Sequence, residues 1–354
     1  MDTLPKIRLQ SCNSYDMGFW IGARFEMMIR NRIAKDPYLS SALLPFATSE
    51  PGERLIQNLS ARNRECYPEY WDELRGVAEG SGVPFLEVLL LNFRKEVASF
   101  LPQKDVSKSA AEADQCSDVL LCSDHLAVIA HNEDADVSLR DHVYIVHATL
   151  KTGTSFFAYT YAGELPSCAF GFNSHGVAFT VNSVPPTPEE IVPGGIGRNF
   201  VCRDLLEATN IDDALNRIKG AKLSVGHNYN VMDINLQRIV TIEAASRERY
   251  FVHEIKGNPF FHANMYLHLL EVRQIPHDSS IHRQKRAAEL PQSTAEEMLT
   301  LLGDTNDQAF PVYMHGPQLY TLHTVVFNLR NKSMMIFKGN PKLHSVLMQV
   351  SMQL

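Results

Sequence analysis

No stretch of the 354 residues approaches the roughly 20 apolar positions needed to cross a bilayer. The opening Met-Asp-Thr-Leu-Pro-Lys also lacks the basic-then-apolar order of a secretory leader. A cytoplasmic protein without membrane association is expected. Basic charge is short as well: 33 Lys and Arg against 40 Asp and Glu leave a net charge of −7, too little cation to hold nucleic acid. Small molecules or proteins remain as partners. Cysteine is sparse and scattered, at 12, 66, 116, 122, 168 and 202, with neither CxxC spacing nor a histidine partner. That excludes a zinc ribbon and a disulfide framework in favour of free thiols. His253, His262 and His268 lack a supporting ligand set, so no metal is expected. What is present, 45% hydrophobic and 21% charged residues, is the composition of a globular fold of one large domain or two modest ones.

Along the chain, residues 1–102 are mainly helical, with apolar periodicity from Tyr15 to Ile33 and again over 55–66, 70–79 and 85–93. Gly18 and Gly22, four apart, point to a close helix contact. Residues 103–115, QKDVSKSAAEADQ, form a polar linker. From Cys116 the pattern changes to short β runs separated by turns, as far as 182. A helix over 203–219, strands over 228–254, a helix capped by Ser293 and Glu296, and strands over 321–329 and 334–337 complete an α+β fold of sheets covered by helices. The glycines at 194, 195 and 197 are not followed by Lys-Ser/Thr, which argues against a phosphate loop. That segment reads equally as a mobile loop at a substrate mouth or as a plain surface connection. Arg94 and Glu96 are expected to pair with each other.

Cys116 stands at the first residue of the β region, where a linker meets a strand. Were the chain cut before it, the residue would carry a thiol and an α-amine whose ordinary pKa of about 7.7–8.0 suits it to act as the base for its own nucleophile. A hairpin centred near Asp124 would set position 132 opposite 116 and bring Asp134 near the nucleophile. From charge alone, the acidic run 133–136 reads sooner as a solvated strand end.

The blocks SYDMG with IG at 14–22, ELRGVAEG at 73–80, LNFR at 91–94, Cys116-Ser117 with HNED at 131–134, GFNSHGVAFTVNS at 171–183, NYN at 228–230 and HAN at 262–264 occur in an order that resembles the acyl-coenzyme A:6-aminopenicillanic-acid acyltransferase family. This family includes β-alanyl-dopamine hydrolase-like enzymes and is related to conjugated-bile-salt hydrolases. The resemblance implies an N-terminal nucleophile hydrolase fold, an αββα sandwich of two antiparallel sheets between helical layers, with residues 116–354 as its catalytic core. It implies self-cleavage between Gln115 and Cys116, association of the two fragments, and an acyl-enzyme on Cys116 formed from a small N-acyl amine or acyl thioester. Asp134 matches the aspartate near the nucleophile amine, Asn264 the oxyanion asparagine and Asn182 a second polar site position. No cofactor is needed, since thiol, amine and donors all come from protein.

Gln115 replaces the glycine common before the nucleophile, and its β-carbon narrows the conformations open to a strained scissile bond. His131 stands near an arginine of the bile-salt branch, and Met314 supplies no cation where relatives often carry arginine. These departures keep open an uncleaved, catalytically silent protein that binds a ligand or partner through the same cleft. Asn182 and Asn264 read alternatively as structural caps, and Cys122, Cys168 and Cys202 as small buried hydrophobes. A papain-like cysteine protease is disfavoured by the lack of a CGSCW-like segment.

Overall fold

A computed structural model describes residues 3–101, 114–166 and 168–354; the expected linker lies outside them up to residue 113. Strand β1 (Lys6–Cys12) is followed by α1 (Ser14–Arg24), α2 (Glu26–Ala34), α3 (Leu44–Ala47), α4 (Glu50–Cys66), α5 (Pro68–Ser81), α6 (Phe85–Asn92) and α7 (Arg94–Ala98). The Asn13 side chain accepts from the Asp16 N–H to start α1, and Ser49 caps α4, whose Leu55, Ile56 and Leu59 form one buried stripe. Gly18 of α1 packs against α5 so closely that a β-carbon there would lie 1.9 Å from the Glu73 carbonyl oxygen, and one at Gly76 would lie 2.2 Å from that of Tyr15. Gly18→Ala must therefore push the two helices apart. It should cost about 1–3 kcal/mol, read as a lower urea midpoint with unchanged slope.

The remaining elements are β2 (Asp114–Cys122), β3 (Ala127–Asp136), β4 (Val143–Leu150), β5 (Ser155–Tyr161), β6 (Phe170–Asn173), β7 (Val177–Ser183), α8 (Arg198–Leu205), α9 (Ile211–Gly220), β8 (His227–Asp233), β9 (Arg238–Ala245), β10 (Arg249–Glu254), β11 (Phe260–His262), α10 (Asp278–Glu289), α11 (Ala295–Leu302), β12 (Leu319–Asn328), β13 (Ser333–Phe337) and β14 (Val346–Ser351). One sheet runs β1-β4-β5-β6-β7-β8-β9-β10 and the other β11-β2-β3-β12-β13-β14. All pairs are antiparallel except β1 with β4. Three apolar clusters give the layers. Ile21, Leu74, Leu90 and Phe200 of the helices pack on Tyr144, Phe179 and Ile242 of the first sheet. Ile145, Phe157 and Phe172 of that sheet face Leu120, Ile129 and Val325 of the second. The outer face of the second, with Val119, Leu121 and Val326, is covered by Met298 and Leu301 of α11. The αββα sandwich is thus assembled by which face of each strand is apolar. Among the described residues no helix is long and apolar enough to cross a membrane.

Several local expectations shift. The single helix over 203–219 is two, because Asn210 caps α9 by accepting from the Asp213 N–H. The capping box is Thr294 with Glu297, one residue later than Ser293 and Glu296. Arg94 pairs with Asp36, not Glu96, whose Oε1 accepts the Arg198 N–H 2.9 Å away. Arg198 does open a helix, yet its N-terminus is filled by this carboxylate and by Asn63, which accepts from Gly197. A phosphate would find no place there, in keeping with the missing Lys-Ser/Thr.

Candidate active site

Cys116 lies on β2, between the edge strand β11 and β3 in the order of the second sheet, 3% exposed. The hairpin closes through Ser123, whose N–H and Oγ both reach Leu126, so Cys122 opposes Ala127 and Cys116 opposes Glu133. This is one residue off the expected pairing of 116 with 132. Strand side chains alternate faces, so the offset decides what meets the thiol. Asp134 opposes Gln115 and sits with Asn132 and Ala130 on the outer face, whereas Cys116, Asp118, His131 and Glu133 share the inner face with Leu120 and Ile129. Glu133 and Asp134 are buried, so the acidic run is not a solvated strand end there.

On the inner face the side chains form one hydrogen-bonded chain. Cys116 Sγ donates to Glu133 Oε2 at 3.6 Å, and His131 sits between Glu133 Oε2 and Asp118 Oδ2, 2.9 Å from each. Tyr161 donates to Glu133 Oε1. Asp118 is held by Thr180 Oγ1 at 2.6 Å and by Asn182 Nδ2 at 2.5 Å. Asn182 Oδ1 in turn accepts from Asn228 and Asn230. Because both ring nitrogens of His131 face carboxylates, which only accept, the imidazole is a cation. Burial disfavours that charge, but Asp118 and then Glu133 outweigh it and raise the ring to about 10. Cys116, His131 and Glu133 place metal-type donor atoms within 4.8 Å of one another, yet each is already committed to a hydrogen bond within the cluster.

The backbone of Cys116 is gripped from the other edge. Its N–H donates to Asn264 Oδ1 at 2.8 Å, and its carbonyl accepts from Arg283 Nη1 at 2.6 Å. Arg283 also donates to Ser117 Oγ, Gln115 Oε1, Asn264 Oδ1 and Ser279 Oγ. Fully buried on α10, it is lowered to about 10 by desolvation, with Asp134 pulling the other way. Asn264 Nδ2 donates to the Ser183 carbonyl at 2.9 Å. Asp134 Oδ1 accepts from Thr321 at 2.5 Å, while its Oδ2 is buried with no hydrogen-bond partner. Burial raises this carboxyl to about 7 against the pull of Arg283.

Of the residues singled out in the sequence, the structure thus brings Gln115, Cys116 and Asn264 into direct contact. Asn182 reaches the thiol only through Asp118, His131 and Glu133, and Asp134 stands on the opposite face. Gln115 has no left-handed φ, and its amide is anchored by Ser279 at 2.6 Å, so its β-carbon is accommodated. Sequence reading missed Asp118, Glu133, Tyr161 and Arg283. The first two alternate on one strand face with Cys116 and His131 as neighbours, a signal available once the register is known. Arg283 follows Ser279 by one helical turn, but α10 carries no strong apolar period. Two cavities lie beside this cluster, one reached at Tyr161 and the other at Gln115; Cys116 is among the described lining residues of neither. One of about 330 Å³ includes Tyr161, Lys95 and Arg198. The other, about 930 Å³, includes Gln115, Ser279, Phe310, Tyr313 and Met314.

The chain is similar to several known proteins. A family model described as acyl-coenzyme A:6-aminopenicillanic acid acyl-transferase matches residues 122–343, more than half of the chain, beginning just after Cys116. Beta-alanyl-dopamine/carcinine hydrolase of Drosophila melanogaster is 25% identical over 355 residues, covering 92% of this chain and 91% of that protein. The 40 kDa form of acyl-coenzyme A:6-aminopenicillanic-acid-acyltransferase from Emericella nidulans is 25% identical over 56% of this chain and 53% of its own. Among solved structures, the N-acylethanolamine-hydrolyzing acid amidase ortholog of Caenorhabditis elegans is 13% identical with a TM-score of 0.41, over 64% of this chain and 93% of that one.

Proposed function

Because the chain belongs to the acyl-coenzyme A:6-aminopenicillanic acid acyl-transferase family, we propose that it is a self-processing cysteine amidohydrolase or acyltransferase of the N-terminal nucleophile type, acting on a small N-acyl amine. The observation that carries this reading is the grip on Cys116: a buried thiol whose own N–H and C=O are both fixed by side chains, Asn264 and Arg283. A plain core cysteine has no need of such fixation.

Cleavage between Gln115 and Cys116 would turn the Cys116 amide into a free amine, the base for its own thiol. Asp134, paired with the departing Gln115 and carrying an unpartnered buried oxygen, then offers that amine a counter-charge. Attack of the thiolate on a substrate carbonyl gives an acyl-enzyme, and the amine product leaves with a proton. Asn264 is the proposed oxyanion donor, a role its Nδ2 takes by giving up the Ser183 carbonyl; such a donor is worth roughly 2.7–4 kcal/mol. Fragments 1–115 and 116–354 stay associated through the parallel β1–β4 pair and the helical layer packed on the first sheet.

The first amide to be cut is the chain's own, so a substrate's acyl group would occupy the place of Gln115, beside the cavity of about 930 Å³. Asp278 and Asp307 are the formally charged side chains among its described lining residues. That favours a cationic acyl group such as β-alanyl over one bearing a carboxylate. Rapid acid quench after mixing with β-alanyl and succinyl amides of one amine should show the acyl mass on fragment 116–354 for the first and little for the second. Asp278→Asn should lower kcat/KM for the β-alanyl amide about fivefold while leaving a neutral acetyl amide unchanged. Preference for the succinyl amide would reject the cationic assignment.

A further inference from the structure

Before the chain is cut, the Cys116 nitrogen is a peptide amide engaged with Asn264, with no lone pair to accept the thiol proton. The base available to the mature enzyme does not yet exist, and self-cleavage needs another. A carboxylate stands at the sulfur: Glu133, whose Oε2 receives both the thiol and His131 Nε2. We propose that Glu133 is the catalytic base of self-cleavage, taking the Cys116 thiol proton while the chain is whole, with His131 as the fixed cation that balances the thiolate. This rests on the self-processing reading above.

The step balances within the cluster. The S–H bond breaks and its proton moves to Glu133 Oε2; the sulfur pair attacks the Gln115 carbonyl carbon. As the tetrahedral centre collapses, the C–N bond breaks and Glu133 returns the proton to the Cys116 nitrogen. The resulting Gln115–Cys116 thioester is hydrolysed by water to the Gln115 carboxylate and the free thiol, the remaining proton passing to the new α-amine of Cys116. Before proton transfer, Asp118 and Glu133 are negative and His131 positive; afterwards the thiolate has replaced Glu133 as the second anion. No net charge is created in a buried site, which is what makes the transfer affordable there. The donor atoms of Cys116, His131 and Glu133 lie within 4.8 Å of one another, so the imidazolium reaches the new thiolate. Other ionisable groups facing Glu133 are Tyr161, which donates to it, and Tyr159 and Cys168, both held neutral by burial. Asp118 lies beyond His131, and Asp134 is on the opposite strand face.

The test follows full-length wild type, E133Q and E133D by intact mass during self-cleavage, from pH 6.5 to about 9, with melting curves as the folding control. Wild type is expected to split at a rate nearly flat in pH above neutrality. E133Q should slow about a hundredfold or more, and its remaining rate should climb about tenfold per pH unit as hydroxide replaces the missing base. E133D should be intermediate and flat. Cleavage of E133Q at the wild-type rate overturns the proposal. So does a slower E133Q with the wild-type pH profile, because loss of packing alone would not change the slope. Should E133Q fail to fold, the slope of E133D decides: tenfold per pH unit would overturn the assignment. A wild-type chain that stays whole would instead overturn the self-processing reading itself, an outcome visible before any variant is compared.

Discussion

Cys116→Ala should abolish amide turnover, lowering kcat/KM roughly a millionfold, the scale seen when a hydrolase loses its nucleophile. Asn264 and Arg283 keep their backbone contacts with residue 116 in this variant, so the fold survives; one sulfur is removed from a site 3% exposed, a cost of about 1 kcal/mol. Alanine at Cys122 or Cys202 should leave turnover intact, since neither touches the cluster around Glu133. Steady-state assays of the three variants against one β-alanyl amide make the comparison. Activity persisting in Cys116→Ala would place the chemistry elsewhere.

Arg283→Met carries the largest expected loss of stability. The guanidinium is fully buried and donates to Cys116, Ser117, Gln115, Asn264 and Ser279. Its removal takes a donor from each of those acceptors and deprives the buried Asp134 of its strongest cation, leaving only the weaker pull of His131. Breaking a buried ionic network from one side costs about 3–5 kcal/mol, measurable by urea unfolding of the Cys116→Ala background so that cleavage does not intervene. Lysine should recover little, because a single ammonium cannot reproduce the planar fork that spans the Cys116 carbonyl and Asn264. Without this clamp the Gln115–Cys116 bond is no longer held in place, and self-cleavage should slow as well.

Much of this architecture was legible in the residues. The change from helical to two-residue periodicity at Cys116, the pair Gly18 and Gly22, and the order of the sequence blocks all foretold the layered fold. What escaped is instructive in its causes. The hairpin register turned on whether the turn centres on Asp124 or between Asp124 and His125, a one-residue matter settled by the Ser123–Leu126 bonds. That single step moves Asp134 off the thiol's face and brings Glu133 onto it. Arg283 is reached 167 residues after Cys116 in sequence, through a helix whose burial is polar rather than apolar, so no local pattern announces it. Asn210, by contrast, was readable: an asparagine ahead of Ile-Asp-Asp is an ordinary helix start, and apolar continuity masked it.

The most direct measurement is the intact mass of the purified wild-type protein, followed by identification of the first residue of each polypeptide. Two associated chains are expected, the second beginning with Cys116 and bearing a free α-amine. A single uncut chain that turns over N-acyl amines at full rate would contradict the account at its root.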